Sequence, residues 1–252
     1  MYISINQKQK SWSIWCIIYK KGNKNMLNEL KNQIIVSVQA MPGEPLYQES
    51  ALCAMIESVV AGGARALRLA GERDIKNARK MFPSMPIIGI TKPDKIPKNY
   101  TEVVYITPTI NDAKKVIDAG ADIVAFDGTQ RKRPCNENLE DLIKFIKSQG
   151  KLAMADIAQY NEGVNAKNLG ADIVSTTLSG YTEETKNNPD CPDFELCEKL
   201  SKDLKIPVIL EGKIWTPQDV KQAFKSGAHC VVIGSAITRP QLITKRFLES
   251  IK

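Results

Sequence analysis

Histidine is nearly missing from this chain, with one residue, His229, in 252. A Ser-His-Asp triad, a histidine general base and a His-rich metal site each need imidazole at the reacting centre, so all three hang on that one position. Cysteine is sparse in pattern rather than number. The six, at 16, 53, 135, 191, 197 and 230, include no CxxC pair, which argues against a zinc site or a disulfide framework and for a reducing cytosol. Cys53 and Cys230 sit among apolar neighbours and read as core, and Cys191 and Cys197 are expected to stay unpaired. No apolar run approaches the roughly 18 residues that a membrane span requires, so no membrane partner is expected. The excess of positive charge is also local. The formal net charge is +7, but residues 1–25 hold five lysines and no acid, leaving 30 basic against 28 acidic residues in the rest. No face carries clustered cations with aromatics between them, so nucleic acid is not an expected partner. The run "QRKRP" (130–134) reads as a solvated loop.

What is present is repetition. A glycine followed by a short apolar run recurs in "GGARALRLAG" (62–71), "AGADIVAFDG" (119–128), "LGADIVSTTL" (169–178) and "SGAHCVVIGS" (226–235). The glycine suits the left-handed stop after a helix, and the apolar run suits a strand buried on both faces. Further candidates fall between these: "IIVSVQ" (34–39), "PIIGIT" (86–91), "KLAMAD" (151–156) and "PVILEG" (207–212). Helical segments separate the strands. "LEDLIKFIKSQG" places Leu139, Leu142, Ile143 and Ile146 on one face. "TPQDVKQAFKSG" opens with Thr216 as cap, Pro217 in the first turn and Asp219 three residues after the cap. Eight strands alternating with helices predict a single-domain (β/α)8 barrel. "VVYITPT" (103–109) looks like a ninth strand, but no helix precedes it, so it is expected to be an extended part of the loop after the third strand. Residues 1–25 lack the pattern and read as a disordered extension or a start placed too early, with the barrel domain spanning 26–252.

In such a barrel the active site forms at the C-terminal ends of the strands. The polar residues there are Gln39, Arg68, Lys92, Asp127, Asp156, Thr177, Glu211 and Ser235. Asp127 and Thr177 read most simply as turn caps. His229 begins the last strand, at the opposite end. Proton transfer therefore falls to Lys92, Asp156 and Glu211, a lysine acting as base only where burial or a neighbouring cation such as Arg68 lowers its pKa. For any one of them the plain alternative is an ion pair closing the barrel. A second signal lies in "ILEGKIWTPQDVKQAFKSGAHCVVIGSAITRP". Gly212 and Gly234 end the last two strands, followed by Lys213 and Ser235, and the helix beginning near Ile237 points its positive end inward. Many barrels hold phosphate there. Arg239 adds charge or ties down the final helix. The residues alone describe a barrel enzyme acting on a phosphorylated small molecule.

From about residue 27 onward, "VSVQAMPGEPL", "PIIGITK", "YITPT", "DGTQRKRP", "LAMADI", "VSTTLSGYT", "PVILEGKIWTP" and "VIGSAITRPQLITKRF" together resemble the N-acetylmannosamine-6-phosphate 2-epimerase family. The resemblance implies interconversion of N-acetylmannosamine 6-phosphate and N-acetylglucosamine 6-phosphate in sialic acid and amino-sugar catabolism. It implies no cofactor, no metal, a cytoplasmic location and, by analogy, a homodimer. On the family's motifs Lys92 and Glu211 are the catalytic pair. Gln39, Arg68, Asp156 and Ser179 bind the sugar, and Gly212, Lys213, Gly234, Ser235 and Arg239 bind the phosphate. Many members carry arginine where Lys213 stands, and lysine keeps the charge but loses the bidentate fork. The rivals are another phosphate- or flavin-mononucleotide-binding barrel, which would make the pure protein yellow, and a sugar-phosphate-binding regulator without catalysis.

Overall fold

A computed structural model describes residues 22, 23 and 25–251; the expectations for residues 1–25 fall almost wholly outside them. Eight parallel strands close into one barrel in chain order, each paired with its sequence neighbours and β8 with β1. They are β1 (Ile34–Val38), β2 (Ala66–Ala70), β3 (Ile87–Ile90), β4 (Ile123–Asp127), β5 (Leu152–Asp156), β6 (Ile173–Ser175), β7 (Val208–Glu211) and β8 (Cys230–Ile233). Between them run α1 (Glu49–Ala61), α2 (Glu72–Met81), α3 (Ile110–Asp118), α4 (Leu139–Ser148), α5 (Tyr160–Asn168), α6 (Phe194–Asp203) and α7 (Pro217–Lys225). After β8 come the short α8 (Ser235–Thr238) and the final α9 (Pro240–Glu249). Among the described residues no helix is long and apolar enough to cross a membrane.

Strand side chains alternate between two apolar clusters, as a period of two requires. One lies between sheet and helices. The other fills the barrel and includes Ile35, Ala66, Ile88, Ile90, Ile123, Leu152, Met154, Ile173, Ile209 and Val232. Counting upward by twos from these inward positions reaches Ser37 and Gln39 on the first strand, Arg68 on the second and Lys92 after the third. The same count reaches Asp156, Ser175, Thr177 and Glu211 on strands five to seven. The chemistry-bearing residues thus inherit the parity of the core beneath them. The four glycines of the repeated junction, Gly63, Gly120, Gly170 and Gly227, all take positive φ, between 88° and 107°. At Thr216 the capping box forms, its hydroxyl accepting from the Asp219 N–H and the Asp219 carboxylate accepting from the Thr216 N–H.

The lower rim is stapled by a device used twice. Asp122, just before β4, accepts from the Ile87 N–H at 3.0 Å, and Arg79 of α2 reaches both Asp122 (2.5 Å) and the Gly120 carbonyl. Two βα units later, Asp172 accepts from the Ala153 N–H at 3.0 Å, and Lys147 of α4 reaches Asp172 and the Gly170 carbonyl, both at 2.7 Å. His229 stands at the same place before β8, its Nε2 2.7 Å from the carbonyl of Leu27. Leu30 is buried in the interior cluster, with Met26 and Leu27 packed beside it, so residues 26–30 close the bottom of the barrel.

Residues 103–109 form no strand, as expected, and instead lie across the upper seam between β3 and β4. The Thr107 N–H donates to the Thr91 carbonyl at 3.1 Å, and the Asp127 N–H donates to the Ile106 carbonyl at 3.1 Å. Two readings are corrected. The "QRKRP" loop is not simply solvated, because Arg131 pairs with Asp127 at 2.7 Å and the Arg133 guanidinium is buried on the Asp127 and Pro108 carbonyls. Cys53 is only half-buried on α1, whereas among the described residues Cys197 and Cys230 are the buried thiols. Cys191 and Cys197 are unpaired.

Candidate active site

Arg68 crosses the barrel interior. It forks onto Asp156 at 3.1 and 2.5 Å and reaches Glu211 Oε2 at 2.8 Å, with the arginine 1% and Asp156 0% exposed. Burial works against its charge, but the Asp156 and Glu211 carboxylates overcome that and raise its pKa, so it is a fixed cation. Its Nε is buried without a partner. Thr177 sits against the same carboxylates, its Oγ1 2.8 Å from Asp156 Oδ1 and 3.0 Å from Glu211 Oε2, and Ser175 Oγ lies 2.8 Å from it.

Lys92 rises on the other side. Its ammonium donates to Gln39 Oε1 at 2.8 Å, and the Gln39 amide in turn donates to Ser37 Oγ at 2.8 Å. That orientation of the amide is the one a lysine, which only donates, demands. Burial and then the Arg68 cation lower the Lys92 pKa to about 8 against the opposite pull of Glu211 and Asp156. Glu211 moves the other way. Burial raises its carboxyl and Asp156 adds to this, while Arg68, Thr177 and Lys92 hold it back. A lysine displaced downward beside a carboxyl displaced upward is the arrangement that lets one proton move between two groups near neutral pH.

Above these groups opens a cavity of about 490 Å³. Gln39, Lys92, Thr177, Glu211, Gly212, Lys213, Gly234, Ser235 and Arg239 all line it. Gly212 (φ 112°) and Lys213 (φ 57°) both take left-handed backbone, which turns the chain sharply after β7. The Lys213 ammonium donates to the Pro189 carbonyl at 2.8 Å and lies 5.8 Å from the Tyr181 ring. Arg239 pairs with Glu44 of the loop after β1, and its Nε is buried without a partner. On the outer rim Arg246 of α9 stacks on Trp215 at 4.8 Å. Among the described residues no group of three or more His, Cys, Asp or Glu is placed to hold a metal.

The structure thus brings together the residues marked from sequence except Ser179 and Asp127, the latter paired with Thr129 and Arg131 away from the cavity lining. Arg68 and Asp156 lie beneath the cavity rather than on its wall. Ser179 is absent from the lining; its hydroxyl donates to Asp193 Oδ2 at 2.6 Å, where Asp193 caps α6. Sequence reasoning missed Ser37, Trp215 and Arg246 on the wall, and placed Thr177 at the mouth without giving it a role. Ser37 was findable by the inward parity that it shares with Ile35. Arg246 carries no local signal, because it enters from the last helix.

Residues 52–252 match the family model described as "Putative N-acetylmannosamine-6-phosphate epimerase". A relative from Clostridioides difficile (strain 630), named as the corresponding 2-epimerase, is 47% identical over 228 residues, covering 90% of this chain and 99% of its own. One from Mycoplasma mycoides subsp. mycoides SC, with the same name, is 41% identical over 232 residues, covering 90% and 100%. Among solved structures, the N-acetylmannosamine-6-phosphate 2-epimerase from Clostridium perfringens aligns with a TM-score of 0.83 at 44% identity, over 89% of this chain and 95% of that one. Deoxyribose phosphate aldolase from Aeropyrum pernix, at 17% identity and a TM-score of 0.60, shares the fold alone.

Proposed function

The chain belongs to the N-acetylmannosamine-6-phosphate epimerase family, and on that premise we propose that it interconverts N-acetylmannosamine 6-phosphate and N-acetylglucosamine 6-phosphate. The observation that carries the reading is that a lysine lowered to about 8, after β3, and a raised carboxyl, on β7, line one cavity from opposite sides of the closed barrel, with glycine-ended strands and cations at its rim.

In the ring-opened sugar, carbon 2 lies next to the aldehyde, which acidifies its proton. Lys92 as the free amine takes that proton from one face, and its electron pair passes into an enolate. Glu211, protonated, returns a proton from the other face; the reverse reaction exchanges the two roles. Lys92 and Glu211 therefore hold one proton between them at the start of each turnover. Gln39 keeps the Lys92 nitrogen in place, and the buried Arg68–Asp156 pair holds Glu211 from below. The backbone at Gly212 and Gly234, with Lys213, Ser235 and Arg239, receives the phosphate, and the unpartnered Arg239 Nε gains an acceptor when it does. We place this activity in the cytoplasm, in amino-sugar and sialic acid catabolism, and assign the chain as a homodimer.

The test is incubation with N-acetylmannosamine 6-phosphate in heavy water, followed by NMR. Formation of N-acetylglucosamine 6-phosphate bearing deuterium at carbon 2 from the first turnovers is expected. No conversion sinks the activity, and conversion with carbon 2 still fully protonated sinks the two-group mechanism.

A further inference from the structure

We propose that the Thr177 hydroxyl is a positioning rotor, fixing which Glu211 oxygen faces the substrate and following that carboxyl as it changes charge. The inference rests on the assignment of Glu211 as a proton carrier. Thr177 was expected to cap a turn, and nothing in its strand-end position requires more than that. Its neighbours do require more. Its single hydroxyl oxygen lies within hydrogen-bond distance of two carboxylates, Asp156 Oδ1 at 2.8 Å and Glu211 Oε2 at 3.0 Å, yet it has one proton to give. Ser175 Oγ at 2.8 Å can donate to the same oxygen, which leaves the Thr177 proton free for a carboxylate.

The choice between the two depends on charge. Asp156 is already held by both arms of Arg68, whereas Glu211 receives only the single contact to Oε2. When Glu211 is ionised, the Thr177 proton turns to Oε2, the oxygen that Arg68 also holds. Oε1 is then the oxygen left to take a proton at the cavity. When Glu211 is protonated on Oε1, the Thr177 proton turns to Asp156. Only a hydroxyl hydrogen moves, by rotation about one bond, and no heavy atom needs to shift. Glu211 is faced by Arg68 of β2, Lys92 beyond β3, Asp156 of β5 and Thr177 beyond β6, with Tyr181 and Cys230 of β8 also within its field. Of these, Thr177 is the one neighbour whose hydrogen bond can be reassigned without moving a charge.

Thr177→Val removes the hydroxyl at constant shape, and Thr177→Ser keeps it. Charged hydrogen bonds of this kind predict a fall in kcat of about 10- to 100-fold for the valine variant, with KM within about 2-fold and kcat restored within about 3-fold by serine. Loss of the donor disfavours the ionised carboxyl, so the acid limb of kcat against pH moves up by about one unit. Thr177→Ala, with thermal melting as a check, gives the same reading if the valine variant does not fold. Near-normal kcat with an unmoved acid limb in a folded hydroxyl-free variant overturns the proposal, as does an equal loss in the serine variant. Glu211→Gln separates the two layers. If it retains turnover, the Glu211 assignment fails; if it is inactive while Thr177→Val behaves as wild type, the rotor alone fails.

Discussion

The shared-proton pair makes a demand on the alkaline side of the pH profile. If turnover begins with one proton between Lys92 and Glu211, kcat/KM falls once that proton is lost. The loss is governed by Lys92, lowered to about 8 from the usual lysine range by burial and by Arg68. The hypothesis is therefore that kcat/KM is level near neutrality and drops tenfold per unit well above pH 8. With a pKa of about 8, about 3% of the pair keeps its proton at pH 9.5, a fall of about 30-fold. A lysine left at its usual value loses only about a tenth of its protons there. The acid limb is a poorer witness, because a phosphate monoester has its own second ionisation near pH 6. Initial rates at substrate concentrations well below KM, followed directly by NMR from pH 6 to 10, measure the limb without coupling enzymes. Recovery of activity on return to pH 7.5 separates ionisation from unfolding. A profile flat to pH 9.5 refutes the lowered lysine. A profile that climbs through pH 8 to a higher plateau refutes the shared proton, since the free amine alone would then be the reacting form.

Three further outcomes follow from the geometry. Arg68→Met strands Asp156 and Glu211 without their cation and is expected to cost about 3–5 kcal/mol in urea unfolding; a cost below about 1 kcal/mol would show that the pair contributes little. Gly180 takes φ 85°, and a Cβ there would lie 2.5 Å from the Lys213 ammonium, so Gly180→Ala displaces that cation and is expected to raise KM several-fold with kcat nearly unchanged. An unaltered KM would remove Lys213 from phosphate binding. Thr216→Ala deletes the cap of α7 and is expected to cost about 1 kcal/mol of stability, with kcat intact; a matching loss of kcat would mean α7 also positions the site.

The eight strands were readable because each is a short apolar run bounded by a glycine or a polar end, and a barrel buries such runs on both faces. The boundaries were less so. The sixth strand reads as 172–177, but its regular pairing stops at Ser175. Beyond it the Thr176 hydroxyl bonds both the Glu211 N–H and carbonyl in place of a backbone group, and sequence alone does not show that exchange. The same limit applies to Ser179, since the sequence does not show that Asp193 lies within hydrogen-bond reach of its hydroxyl. Lys92, Asp156 and Glu211 were visible because strand parity carries them inward. Thr177 shares that parity, yet a threonine ending a strand is so ordinary that its meaning appears only with the two carboxylates beside it.

The two lower-rim staples, Arg79 with Asp122 and Lys147 with Asp172, have a consequence for how this protein can change over time. Each ties a helix to the strand two steps ahead, on the face away from the cavity, and neither shares a residue with the reacting groups. The staples and the reacting groups are thus written in separate sets of positions, at opposite ends of the barrel. A lineage can exchange loops around the mouth, and with them the sugar accepted, while the staples keep the cylinder closed below. Substitutions at the staples would instead weaken every version alike, whatever substrate the mouth had come to recognise.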